Sequence, residues 1–192
     1  MHELNLKLLP AGATELTVIS SLAREIWEKH YTAIIGANQI KYMLDKMYDK
    51  QSLLDQFLAK KHVFYLVNNN DLNVGFISVN REKDDDWLLN KFYILGERAS
   101  NELGTEAFQV LKQLLQPNKI TLTVNRQNYK SINFYFKNGF KIDHVADFDI
   151  GEGFVMNDFV MEWRRELWRF SDEWCNDEWW GFTDLWRVIT QL

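Results

Sequence analysis

Apolar and polar positions repeat along this chain with two periods, and each change of period marks an element. Leu4 to Leu9 alternates as a first strand, which Pro10 and Gly12 end. Thr14 then stands as the cap of a helix reaching about His30, with Val18, Leu22, Ile26 and Trp27 at helical spacing. Tyr31 to Gly36 reads as a loop. Ile40, Met43, Leu44 and Met47 stripe a second helix over about Ala37 to Asp49, and a short third spans Gln51 to Lys60. His62 to Val67, Leu72 to Val79 and Trp87 to Leu95 are β-rich runs. The clusters Asn68 to Asp71 and Arg81 to Asp86 separate them, and gaps this short predict antiparallel pairing. The charged run Glu82 to Asp86 is expected at a solvated hairpin tip.

A long helix follows, striped by Leu103, Ala107, Val110, Leu111 and Leu114 and stopped by Pro117. Lys119 to Val124 alternates as the next strand. In Asn125 to Phe140, Ile132, Tyr135 and Phe136 fall at i, i+3 and i+4, one face of a short helix. Asn128 sits at its N-cap, where a side-chain oxygen accepts from an orphan N–H, with Ser131 three residues on. Gly139 supplies the left-handed stop. Lys141 to Ile150 and Phe154 to Glu162 form a last hairpin about Gly151-Glu152-Gly153.

This division gives a domain over residues 1–162 and an extension over 163–192. The extension holds Trp163, Trp168, Trp174, Trp179, Trp180 and Trp186, six of the eight tryptophans. Trp163, Leu167, Phe170 and Trp174, then Phe182, Leu185, Trp186, Ile189 and Leu192, make two amphipathic stripes. So much aromatic surface must be covered. It can dock on its own domain, cross to a second copy as the arm of a homodimer, or lie on a membrane. Asp172, Glu173, Asp177 and Glu178 oppose the membrane, where basic residues are expected.

Composition narrows the function. A chain of 192 residues can bury about 70% of its unfolded surface as one domain. Its net charge of −5 opposes a nucleic-acid partner, which calls for a basic face. The single cysteine, Cys175, excludes an internal disulfide, and no histidine spacing suggests a metal. No apolar run is long enough for a membrane span, and the N-terminus lacks the regions of a signal peptide, so a cytoplasmic location is expected.

Asn128, Ser131, Phe134, Tyr135, Gly139 and Phe140 match the pattern N-x-x-[SA]-x-x-[FL]-Y-x-x-x-G-F. That segment resembles motif B of the GNAT superfamily of N-acetyltransferases, and the order of elements over residues 3–162 is similar too. The resemblance implies an α+β, three-layer GNAT fold with a mixed, mostly antiparallel sheet flanked by helices. It implies acetyl-CoA as cosubstrate and an amine as acceptor, with small molecules, peptide N-termini and lysine all open. Tyr135 would protonate the departing thiolate, a role suited to a phenol. Asn128 and Ser131 would lie along the cofactor, and the main chain of Phe92, Tyr93 and Ile94 would hold the acetyl group through donors fixed in advance. His30 and Tyr31 would face the acceptor.

The family's pyrophosphate loop, [QR]-x-x-G-x-[GA], falls here on Ala99-Ser100-Asn101-Glu102-Leu103-Gly104, and only Gly104 matches. Ser100, Asn101, Leu103, Gly104 and Thr105 are the expected phosphate-binding positions, as main-chain donors at a helix start. Glu102 brings a carboxylate to that place. Unit charges about 4 Å apart repel by roughly 4 kcal/mol at an effective dielectric near 20, unless the side chain turns to solvent. Some relatives carry an acidic base five residues before the motif asparagine; Thr123 stands there, so Glu97, Asp149, Asp158 or a water chain must serve. The changed loop supports a second reading, a catalytically inactive GNAT-fold interaction or regulatory module that uses the C-terminal tail as its contact surface.

Overall fold

The computed structural model describes residues 5–96 and 101–166. The chain begins with strand β1 (Leu6–Ala11) and four helices, α1 (Leu16–His30), α2 (Thr32–Ile35), α3 (Ala37–Met47) and α4 (Lys50–Leu58). The meander β2 (Val63–Asn69), β3 (Leu72–Arg81) and β4 (Asp86–Ile94) follows. Then come α5 (Asn101–Leu115), β5 (Lys119–Asn125), α6 (Tyr129–Lys137) and the hairpin β6 (Lys141–Gly151) and β7 (Phe154–Arg164). The seven strands form one sheet in the order β1-β2-β3-β4-β5-β7-β6. All pairings are antiparallel except β4 with β5.

That exception shapes the molecule. β4 and β5 pair only over Asp86–Leu88 and Lys119–Thr121, and beyond them the strands part. The distal half of β4 stays bound to β3 through Gly75↔Ile94, Phe76↔Tyr93, Ile77↔Phe92 and Ser78↔Lys91. The opening therefore faces backbone of β4 that has no strand partner on that side.

Both faces of the sheet are covered. Period-two alternation sends Ile77 and Phe76, neighbours in β3, to opposite cores. Ile77 packs with Phe108, Leu111, Ile120, Leu122 and Met161 beneath α5 and α6. Phe76 packs with Ile19, Ala23, Leu53 and Phe64 beneath α1, α3 and α4. At about 25 cal/mol per Å² of apolar area, burial of this kind dominates the stability of both layers.

Several expectations shift. β1 runs through Pro10, tolerable because an edge strand need not donate on its open side. Thr14 does not cap α1; Glu15 precedes the helix, and its carboxylate accepts from Thr14 Oγ1 and Gly12 N. Val18 is exposed, and Ile19 and Ala23 take the buried stripe with Leu22, Ile26 and Trp27. The loop expected at Tyr31 to Gly36 contains the helical turn α2. Asp49 ends no helix but caps α4, accepting from Gln51 N and Ser52 N. β2 extends to Asn69, and the turn narrows to Asn70 and Asp71, both at positive φ. In α5 the wholly buried aromatic is Phe108, while Leu114 is exposed. In α6 Phe136 faces outward, and Ile132 and Tyr135 carry the packing. Trp163 lies in β7 opposite Ile120 and packs against the core under α5. The Trp-rich residues 167–192 lie outside the described residues.

Candidate active site

The parted strands create two cavities that meet at Tyr31, Phe92, Tyr93, Asn128, Ser131 and Tyr135. The first, about 300 Å³, lies toward α5 and is bounded also by His30, Ile94, Gly96, Gly104 and Phe134. The second, about 170 Å³, lies under α1 and α3 and is bounded also by Trp27, Tyr48, Lys91, Thr123, Met156 and Asp158.

The main chain prepares the junction. Leu95 N donates to Val74 O at 2.8 Å, so the amides of Leu95 and, by alternation, Tyr93 point to β3. Those of Phe92 and Ile94 then point the other way, into the opening. Of the three residues expected there, Phe92 and Ile94 have amides that point into the opening, and Tyr93 contributes its ring to the cavity wall.

Tyr135 rises into the junction from α6. Asn128 caps that helix as expected, its Oδ1 accepting from Ser131 N at 3.2 Å, and Gly139 closes it at φ +89°. The Tyr135 ring is fixed edge-on against Phe134 at 5.4 Å and Phe140 at 5.3 Å. Burial, then the neighbouring Tyr31, pushes its phenol above the ordinary tyrosine value. It stays protonated throughout the neutral range. Asn128 also reaches the second cavity, where its Nδ2 donates to the Tyr31 hydroxyl at 3.3 Å.

At the start of α5, Gly104 lines the first cavity and touches Phe134, where an added Cβ would sit 3.0 Å from the ring. Leu103 is buried in the core, and Thr105 stands off the cavity, so a role for either falls to its main chain. Asn101 begins the helix, and Glu102 is exposed in its first turn, turned to solvent as its charge requires. Ser100 lies outside the described residues, as does Glu97. The first cavity is apolar along Ile94, Gly104 and Phe134 and has free amides at one end. That donor set fits the arm and thioester of an acyl-CoA.

The second cavity is an aromatic box. Tyr31 stacks on Trp27 at 4.8 Å and meets Tyr93 edge-on at 6.1 Å, and Tyr48 stands edge-on to Tyr93 at 6.4 Å. Burial drives the Tyr31 phenol to about 12 and raises those of Tyr48 and Tyr93. All three are neutral, hydrogen-bonding walls. His30 lies at the mouth of the first cavity with its ring against Gly96, where a Cβ would fall 1.9 Å from Nε2.

Two charged groups enter the box. Asp158, from β7, is 5% exposed, and burial raises its carboxyl above the usual range, partly offset by a hydrogen bond to Thr123. Asp149, the other described base candidate, is exposed and accepts from Gly151 N at the hairpin turn, away from both cavities. Lys91, from β4, escaped sequence reasoning, as did Trp27 and Tyr48 as site residues. The one signal was a lone cation in register with Tyr93 on the inward face of an apolar strand. Among the described residues no group of metal-ligating side chains occurs, and no helix is long and apolar enough to cross a membrane.

Comparison with known proteins agrees with this fold. A spermidine N(1)-acetyltransferase of Thermoplasma acidophilum is 24% identical over 170 residues, spanning 85% of this chain and 99% of that protein. The crystal structure of a PaiA N-acetyltransferase from the same organism, in complex with coenzyme A, superposes with a TM-score of 0.69 at 23% identity, over 84% of this chain and 99% of that one. A GCN5-related N-acetyltransferase from Rhodopseudomonas palustris gives 0.68 at 15% identity, over 86% and 98%. The acetyltransferase (GNAT) domain family matches residues 31–156. With that match over most of the chain, a sheet parted beside α6 and a phenol at the junction, the chain belongs to the GNAT acetyltransferases, enzymes that take their acetyl group from acetyl-CoA.

Proposed function

We propose that this enzyme acetylates a primary amine held in the aromatic box, with acetyl-CoA in the first cavity. The observation that carries the reading is the meeting of the two cavities at Tyr135, beside amides of β4 that no strand occupies. When bound, acetyl-CoA supplies a thioester carbonyl open to attack by an amine.

The chain's own groups divide the work. Phe92 N and Ile94 N donate to the carbonyl oxygen as it gains charge, and they cost no reorganisation at that moment. Trp27, Tyr31 and Tyr93 orient the acceptor nitrogen and exclude water. A cationic amine is attracted to such faces by about 0.5–2 kcal/mol. Asp158 takes the amine proton, directly or through one water; burial has raised its carboxyl toward the working range of a base. A C–N bond forms, the C–S bond breaks, and Tyr135 gives its proton to the departing sulfur. The main chain of α5 from Asn101 to Thr105 faces the pyrophosphate.

The acceptor follows less directly. A protein similar to this one is a spermidine N(1)-acetyltransferase, and an aromatic box with a buried carboxylate suits a cationic amine, so polyamines belong in any trial. The test is a calorimetric titration with acetyl-CoA, then thiol release across a panel of primary amines. Micromolar binding and amine-dependent thiol release are expected. No binding at millimolar acetyl-CoA would return the chain to the reading of a silent GNAT fold.

A further inference from the structure

Lys91 is a buried cation without a counter-charge among the described residues. It is 8% exposed and lines the second cavity. Its Nζ donates to Gln56 Oε1 at 2.7 Å and sits 5.1 Å above the Tyr48 ring. Gln56 is itself buried and fixed, because its Nε2 donates to Met47 O at 2.8 Å. One ammonium hydrogen is thus committed to a neutral amide, and no carboxylate of the described residues pairs with the others.

The Tyr48 ring face attracts the ammonium by about 0.5–2 kcal/mol, but none of these neighbours brings a negative charge. Tyr48 is a neutral phenol. His62 accepts or donates at Ser78 Oγ and is held neutral, its value driven down to about 4 by burial and by the charges of Lys91 and Lys60. Burial, and then the like charge of Lys60, lowers Lys91 to about 8, so the ammonium persists at neutral pH. Asp158 stands across the box on β7 and forms no ion pair with it. Buried charges are normally paired, because desolvation costs several kcal/mol per ion. A protein that keeps this one bare in a cavity has left a place for an anion.

We propose that the acceptor amine also carries a carboxylate, which docks on Lys91 while the amine lies toward Asp158 and Tyr135. The site then takes an amino acid of modest length rather than a simple amine or a polyamine. The inference rests on acetyl transfer in these cavities. It sharpens the substrate class, because one wall of the box is basic and the opposite wall acidic.

The experiment compares matched acceptors: glycine, β-alanine and 4-aminobutyrate against methylamine, ethylamine, propylamine and spermidine. Thiol release from acetyl-CoA gives kcat/KM for each, and the melting temperature is read with coenzyme A alone and with each acceptor added. At least one amino acid should exceed its decarboxylated partner by about 10- to 100-fold, the range of a charge-assisted hydrogen bond. Lys91→Met should bring that ratio near one, chiefly through a higher KM for the amino acid. Gln56→Glu gives Lys91 an internal partner and should erase the preference with the lysine still present. Equal rates for amino acids and amines, a preference for spermidine, or equal losses for all acceptors in Lys91→Met would overturn the proposal. If coenzyme A stabilises the protein but no amino acid is acetylated or adds to the shift, the carboxylate assignment fails while acetyl transfer stands. If coenzyme A causes no shift, both fail.

Discussion

The two cavities that meet at Tyr135 are built by different means. The first presents main chain and apolar surface: the amides of Phe92 and Ile94, the open face of Gly104 and the ring of Phe134. The second presents side chains whose ionisation the fold has moved: Tyr31, Tyr48, Tyr93, Lys91 and Asp158. On the proposed reading the first cavity takes a common cosubstrate, and main-chain donors for it need only strand, turn and helix start in the right places. A cavity that selects an acceptor must give up stability to hold buried charge.

The largest expected effect lies on the boundary between them. Tyr135→Phe keeps the ring packed against Phe134 and Phe140 and removes only the proton. Turnover should fall about 100-fold, within the range for general acids, with acetyl-CoA affinity nearly unchanged. Unchanged turnover in steady-state kinetics would remove Tyr135 from the chemistry. Asp158→Asn should lower kcat by about 30-fold. It should also abolish the acidic limb of the rate profile, because the wild type loses its base as pH falls through the raised carboxyl value. Stability should move the other way. A carboxyl whose folded value lies above its unfolded one loses stability as pH rises through that interval, so at neutral pH the wild type carries a cost that asparagine lacks. Denaturant unfolding should find the variant as stable as the parent at neutral pH, or more so, and the gain should vanish below the unfolded carboxyl range.

The same contrast explains what could be read in advance. Period and turn chemistry yield nearly every strand and helix, and the N-cap at Asn128 with the stop at Gly139 fixes α6 and hence Tyr135. Local patterns suffice there because the capping partner is three residues away. Of the box, the sequence points to Tyr31 as a residue facing the acceptor and to Asp158 as one of several candidate bases, while Tyr93 is expected only to hold the acetyl group through its main chain. Trp27, Tyr48 and Lys91 come from separate parts of the chain, and each looks like ordinary core or surface until tertiary packing gathers them. Phe136 and Leu114 failed for a related reason. Helical spacing fixes which residues share a face but not the edge of the buried arc, and Phe108 and Phe134 fill the space instead. Gln56 shows the limit best: a glutamine in a short helix gives no sign that its amide will hold a buried lysine 35 positions away.

Gly104→Val tests whether the first cavity is independent of the second. A Cβ at that point already lies 3.0 Å from Phe134, and a branched side chain would push the ring into the cavity. Crowding of that kind costs about 1–3 kcal/mol, so acetyl-CoA affinity by calorimetry should weaken about tenfold. The amine KM measured at saturating acetyl-CoA should not change. If both constants rise together, the two cavities act as one site and are not separately built.

The smallest effect is expected at Tyr31, where the cavities share a wall. Tyr31→Phe keeps the ring stacked on Trp27 and removes only the hydroxyl that accepts from Asn128 Nδ2 at 3.3 Å. That bond is long and neutral, worth about 0.5–1 kcal/mol. Asn128 keeps its cap on Ser131 N, so α6 and Tyr135 should not move. The acceptor KM should rise about threefold with kcat almost unaltered. Burial, rather than Tyr31, is the larger cause of the raised Tyr135 phenol, so Tyr135 should remain protonated and able to give its proton in the variant. A fall in kcat comparable to that of Tyr135→Phe would mean that the Tyr31 hydroxyl itself handles the proton, and the acid would have to be reassigned from α6 to the turn between α1 and α2.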